Sequence, residues 1–251
     1  MALLIKSIWK LTQVELKLFF RERTAAFFTL VFPLMLLFIF GSIYGNQPTP
    51  FFGGFGNVDI SVPAYGAMII ATSGLITLPI LIASYREQKI LWRFRATPIH
   101  PLTIFAAQVV VLLVMNLLGM SLLIAAAKAV YHLRFAGNAL SVAASYLLCS
   151  IAFLALGFAL ASLVSTARSA QIAGMALFFP MIFLSGATIP REVLSHKILL
   201  LGRYLPLTPV VNILRGLWTG GNWGQYASSW LYLVGLFLAG IAFSTRFFRW
   251  E

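Results

Sequence analysis

Apolar residues occupy six long stretches of this chain, and polar residues gather between them. The stretches are 25–44, 62–85, 104–130, 140–164, 172–188 and 228–248. A helix of about 20 residues spans the hydrocarbon core of a bilayer. Each stretch meets or approaches that length, so the pattern predicts an all-α integral membrane protein with six transmembrane helices. Pro33, Pro79 and Pro180 fall inside three of the spans, and Pro33 is expected to kink the first. Gly41 and Gly45 make a GxxxG step at the end of span one, a spacing that permits close helix packing.

The first 24 residues follow a different period. Lys6, Lys10, Gln13, Lys17 and Arg21 recur at steps of three and four, which puts them on one helical face. Ile5, Ile8, Trp9, Leu16 and Phe19 take the other face, with Thr12 between. A helix with a basic face and an aromatic-containing apolar face lies in the membrane interface. It reads as a topology anchor or as a docking surface for a cytoplasmic partner. A signal peptide does not fit, because Lys6 and Lys10 break the first apolar run and no small-residue cleavage site follows.

Composition agrees with lipid as the solvent: 61% of the 251 residues are hydrophobic and 10% are charged. A soluble domain carries about 25% charged residues. The net charge of +12 comes from short segments between spans, not from a separate basic module, so nucleic acid is not an expected partner. Most Lys and Arg fall in 1–24, 86–103 and the C-terminal tail. By the positive-inside rule, both termini belong in the cytoplasm. The stretch 189–227 fits this orientation least well, with Arg191, Lys197, Arg203 and Arg215 on the outer side.

Several chemistries have no residues to carry them. No Gly-rich string ends in Gly-Lys-Ser/Thr, so the chain offers no P-loop for ATP. No acid, Lys or His falls in the centre of a predicted span, which disfavours ion-coupled carriers and intramembrane proteases. Cys149 is the one cysteine, and His100, His132 and His196 sit in three different predicted loops, so no metal site is expected. Catalytic and cofactor-binding residues are expected to be none. Uphill transport would draw its energy from a partner.

Two motifs bring a family into view. Arg86-Glu87-Gln88-Lys89-Ile90-Leu91-Trp92-Arg93-Phe94-Arg95-Ala96-Thr97-Pro98 fills the inner loop between spans two and three. Ser185-Gly186, Pro190, Leu205-Pro206-Leu207 and Arg215 mark the stretch before span six. Together with the N-terminal helix and the six spans, these resemble the type-2 ABC exporter permeases, the group with daunorubicin-resistance and polysaccharide-export types. Gln88 and Lys89 depart from the family's more acidic, Gly-containing turn.

The resemblance implies one transmembrane domain over residues 1–251, with an interfacial helix at 1–24, a coupling loop at 86–103 and an outer re-entrant segment at 189–227. In the coupling loop, Arg86, Glu87, Leu91, Trp92, Arg93, Phe94, Thr97 and Pro98 are the candidates for docking a cytoplasmic ABC ATPase. Aromatic and Arg anchors suit an interface, whereas a solvated positive-inside loop would explain only the charges. Gly186, Pro190, Pro206 and Arg215 are the candidate outer re-entrant motif; an ordinary exposed loop is the other reading of that stretch. Thr72, Thr77, Asn116, Phe178, Phe179 and Met181 are candidates for a substrate path, and Ser145 is a further polar group at membrane depth. The same polar side chains also serve as glue between helices, and the aromatics serve packing or lipid contact.

The residues and the resemblance together lead to the expectation of a half-permease of a bacterial inner membrane, pairing with a second copy or a related permease so that spans two and five line the path. ATP and Mg are expected on partner ATPase subunits. Membrane lipids are expected contacts. The expected cargo is amphipathic or lipid-like, such as a drug or antibiotic. A lipid-linked polysaccharide is the alternative within the family, a passive channel or assembly factor the alternative outside it, and a membrane-embedded enzyme a further class.

Overall fold

The computed structural model describes residues 12, 13, 15–17, 19, 22–90, 101–190, 192 and 194–247. Every regular element among them is helical. Six helices are long and apolar enough to cross a membrane: Thr24–Tyr44, Pro50–Glu87, Thr103–Tyr131, Ala139–Leu163, Ala167–Leu184 and Trp223–Phe247. Lipid offers no partner for a free peptide group, so each span must pair its own backbone internally. The ends of the bundle are called distal (loops 45–56, 132–138 and 219–226) and proximal (residues 86–90 and 164–166).

Local chemistry sets several boundaries that the apolar runs alone misplace. Span two becomes α-helical at Asn57, not Val62, because Asp59 turns back to accept from the Gly56 N–H at 2.9 Å. Span five starts at Ala167, not Ile172, because Thr166 and Ser169 cap each other reciprocally. Gly41 does let span one approach span three closely: a Cβ there would meet the Tyr131 ring at 2.5 Å. Gly45 has another role, ending the helix at φ +64°, in the region that favours glycine.

Two prolines are absorbed in the same way. Phe27–Val31 and Ser73–Thr77 are π-helical, and Pro33 and Pro79 follow two residues after each. Proline cannot donate to the carbonyl four residues back, and its ring crowds that carbonyl. A π turn inserts one residue and relieves the crowding. The kink expected at Pro33 is thus a π turn.

Span two is the axis of the bundle. Of its most apolar window 89% is buried, against 22% for span one, 28% for span five and 11% for span six. Spans four and five cross it at its π turn, where glycines let the backbones touch. A Cβ added at Gly157 would lie 2.3 Å from the Gly74 carbonyl oxygen, and one at Gly174 would lie 2.2 Å from that of Leu75. Span one instead buries one stripe, Ala25, Thr29, Pro33, Leu37 and Gly41, at steps of four.

Between spans five and six the chain forms two short helices, His196–Gly202 and Leu207–Trp218, bent by 105°. The start and finish of this pair meet: Glu192, before it, is ion-paired at 2.7 Å to Arg215, near its end. Its elbow lies deeper, where Tyr232, about 8 Å past the α-helical start of span six at Ala227, donates to the Tyr204 carbonyl at 2.9 Å. The pair therefore leaves and returns on the distal side, as a re-entrant hairpin does. The second helix buries Leu207, Val210, Val211, Leu214 and Leu217 against the bundle.

Candidate transport face and coupling end

The proximal end gathers three contacts around the exit of span two. Arg86 Nη1 donates to the Val164 carbonyl at 2.7 Å and to that of Ala161 at 3.4 Å. These belong to the C-terminal turn of span four, where the helix dipole favours a cation. Tyr85 donates to Glu15 Oε1 at 2.5 Å and accepts from Gln108 Nε2 at 3.2 Å. That joins the N-terminal helix, span two and span three at one buried node. Glu87 is exposed, and Lys89 takes φ +55°, a left-handed position that glycine would fill without strain. The other coupling candidates, Leu91, Trp92, Arg93, Phe94, Thr97 and Pro98, lie outside the described residues, as do Lys6, Trp9, Lys10 and Arg21 of the N-terminal segment. In the described part of that segment Thr12, Glu15 and Phe19 are buried while Gln13 and Lys17 are exposed.

At membrane depth Asn116, midway along span three, ties three spans together. Ser73 on span two donates to its Oδ1, its Nδ2 donates to Ser150 Oγ on span four at 3.3 Å, and its carbonyl accepts from Tyr146 at 3.0 Å. Thr72 bonds the Met68 carbonyl at 3.0 Å, and Ser145 that of Ser141 at 2.7 Å. Thr77 is buried, with no partner for its hydroxyl among the described residues. Phe178 and Met181 are buried too, whereas Phe179 is exposed beside them. Span two's enclosure leaves Thr72 and Thr77 almost no surface in this chain.

Spans one, five and six carry most of their surface outward, and spans one and five adjoin. Span one shows Phe27, Val31, Met35, Phe38 and Ile39; span five shows Ile172, Leu177, Phe179 and Phe183. The two spans meet where Phe28 and Phe178 pack edge to face at 6.4 Å between centroids.

The distal end is held by Asp59. Its carboxylate accepts from Asn46 Nδ2 and the Arg134 N–H, both at 2.8 Å, besides Gly56. Gly186, Pro190 and Arg215 of the outer motif line one small cleft against span two, while Pro206 stands apart at the start of the second hairpin helix. Beside the hairpin opens a vestibule of about 840 Å³. Phe51, Phe52 and Phe55 form one part of its wall; Asn212, Arg215 and Gln225 form another.

Glu15, Tyr85, Gln108, Ser73, Ser150 and Asp59 were not singled out by sequence reasoning. One signal was available: Glu15 shares the helical face of Thr12 and Phe19, so it is an acid on the apolar side. Among the described residues no group of three or more His, Cys, Asp or Glu could hold a metal ion.

Six apolar helices, one of them the buried axis, with a re-entrant hairpin on one side, mark a multi-pass membrane protein. The family model of the ABC-2 type transporter matches residues 6–219, which covers the N-terminal segment, the first five spans and the hairpin. The chain belongs to that family and is an ABC permease component. Permeases of this family work with ATPase partners. A search of curated proteins finds no match to the chain.

Proposed function

We propose that this chain is the membrane half of an ATP-driven exporter and that its cargo is amphipathic or lipid-like, such as a drug or antibiotic. The distal vestibule carries the cargo class. Its aromatic wall suits an apolar body, and its Arg, Asn and Gln groups suit a polar head. Two copies, or one copy and a related permease, bring their span one and span five faces together and form the path between them. Phe179 then faces the path directly, and Thr72, Thr77, Asn116, Phe178 and Met181 support it from behind.

ATPase subunits, which bind ATP and Mg, dock at the proximal end in the cytoplasm of a bacterial cell, with the chain in the inner membrane and both its termini cytoplasmic. The distribution of Lys and Arg supports that orientation. Glu87, Leu91, Trp92, Arg93 and Phe94 make the dock, and Thr97-Pro98 ends it before span three. Arg86 holds the end of span four, so a push on the dock reaches spans two and four together. A lipid-linked polysaccharide is the second cargo, favoured by the hydroxyl and amide groups of Ser228, Ser229 and Gln225 at the vestibule.

The test is copurification from the native membrane, with ATPase activity assayed on the eluate. Wild type is expected to bring down a cytoplasmic ATPase, and Trp92→Ala with Glu87→Ala to lose or uncouple it. Absence of any ATPase with wild type would sink the permease-with-dock reading in favour of a passive channel or assembly role. Stimulation of the recovered ATPase by amphipathic drugs, but not by lipid-linked glycans, separates the two cargoes.

A further inference from the structure

We infer that the groove between spans three and four on the distal side is a binding site for an anionic phospholipid, separate from the transport path. The groove has a volume of about 380 Å³. Its span three wall is Leu117, Ser121 and Ile124, and its span four wall is Ala139, Ala143 and Tyr146. At the distal mouth stands Lys128, exposed in the last turn of span three and without a hydrogen-bonding or ionic partner among the described residues.

Length decides the occupant. Leu117, Ser121, Ile124 and Lys128 recur at steps of four, three and four, so they share one stripe of the helix. From Leu117 to Lys128 the rise is about 16 Å, close to half the ~30 Å hydrocarbon core. The groove is therefore one leaflet deep, mostly apolar below its mouth and cationic at it. A phospholipid has the same layout, with an acyl chain under a phosphate.

The mouth also lies beside the distal loop 132–138, about half a hydrocarbon core beyond Leu117. Phe135, exposed, packs there on the buried Trp218 at 4.7 Å between centroids, and Trp218 Nε1 donates to the Arg134 carbonyl at 3.2 Å. The ammonium of Lys128 attracts a headgroup that carries net negative charge more than a zwitterionic one, by about 1 kcal/mol, or roughly fivefold.

The experiment is native mass spectrometry of the detergent-purified chain titrated with phosphatidylglycerol or phosphatidylcholine. Wild type is expected to bind phosphatidylglycerol about fivefold more tightly. Lys128→Gln is expected to erase the preference, and Ala143→Phe to weaken both lipids by filling the groove. Lys197→Gln, which removes a cation of the same end outside the groove, is expected to keep the preference. Each variant is scored only as a monodisperse species of unchanged helix content, and Ser121→Phe replaces Ala143→Phe if that protein fails to fold. Equal binding of the two lipids by wild type, or a preference that survives Lys128→Gln, would overturn the site. Neither outcome bears on the ATPase dock, which the copurification tests separately.

Discussion

Spans one and two carry the same local device and meet opposite fates. Each has a π turn that ends two residues before a proline. Span two is buried nearly all round, while span one is buried along a single stripe and shows seven large apolar side chains to its surroundings. Hydropathy does not separate them, because span one is the more apolar of the two, at 2.4 against 2.0. In lipid, apolar side chains gain nothing by leaving the solvent, so burial follows close packing and polar contacts instead. Span two has Gly66, Gly74, Ser73 and Thr72 where neighbours can approach; span one turns its large residues outward.

The strongest way to break this contrast is to separate the backbones at the axis. Gly174→Ala puts a Cβ 2.2 Å from the Leu75 carbonyl oxygen, which cannot retreat within a packed helix. Overpacking of this kind costs about 3 kcal/mol. Thermal unfolding in detergent is expected to show a clear loss for Gly174→Ala. Ala176→Leu, on the exposed face of the same span, is expected to stay within about 0.5 kcal/mol of wild type. Equal losses at both positions would mean that span five is not one-sided.

A smaller effect is expected from the polar tie. Asn116→Ala removes the side-chain bonds to Ser73 and Ser150, at about 0.6 kcal/mol each in membrane proteins. The expected loss is about 1 kcal/mol by the same assay. An unchanged stability with altered transport would shift Asn116 from helix contact to cargo contact.

The smallest effect belongs to the proximal turn. Lys89 holds a left-handed φ of +55°, which costs an L-residue roughly 1 kcal/mol. Lys89→Gly removes that strain and loosens the unfolded chain, for a net gain of about 0.5 kcal/mol. A loss of stability would show that the Lys89 side chain contributes more than its backbone costs.

Much of the architecture was legible because the bilayer imposes it. A hydrocarbon slab of fixed thickness forces runs of about 20 apolar residues, and those runs are visible one residue at a time. The hairpin was legible from Pro190, Pro206 and the apolar run at 198–201, which together resist being one span or one loop. The Trp and Phe among the charges of the 86–103 loop, the family resemblance and the missing P-loop pointed to a partner ATPase. The family match over residues 6–219 then bore out the permease family.

Which helix lies at the centre, and what each polar residue touches, came only from the tertiary structure. Asn116 is one residue in an apolar run until spans two and four bring Ser73 and Ser150 to it. Glu15 and Tyr85 are 70 residues apart in the chain and share a proton-bearing bond at the proximal end. Asp59 reads as a loop acid and proves to be the knot of the distal end. Apolar patterning records contact with lipid or with protein equally, since both are apolar. Distinguishing them requires knowing which backbones come within touching distance, and that is a property of the packed bundle.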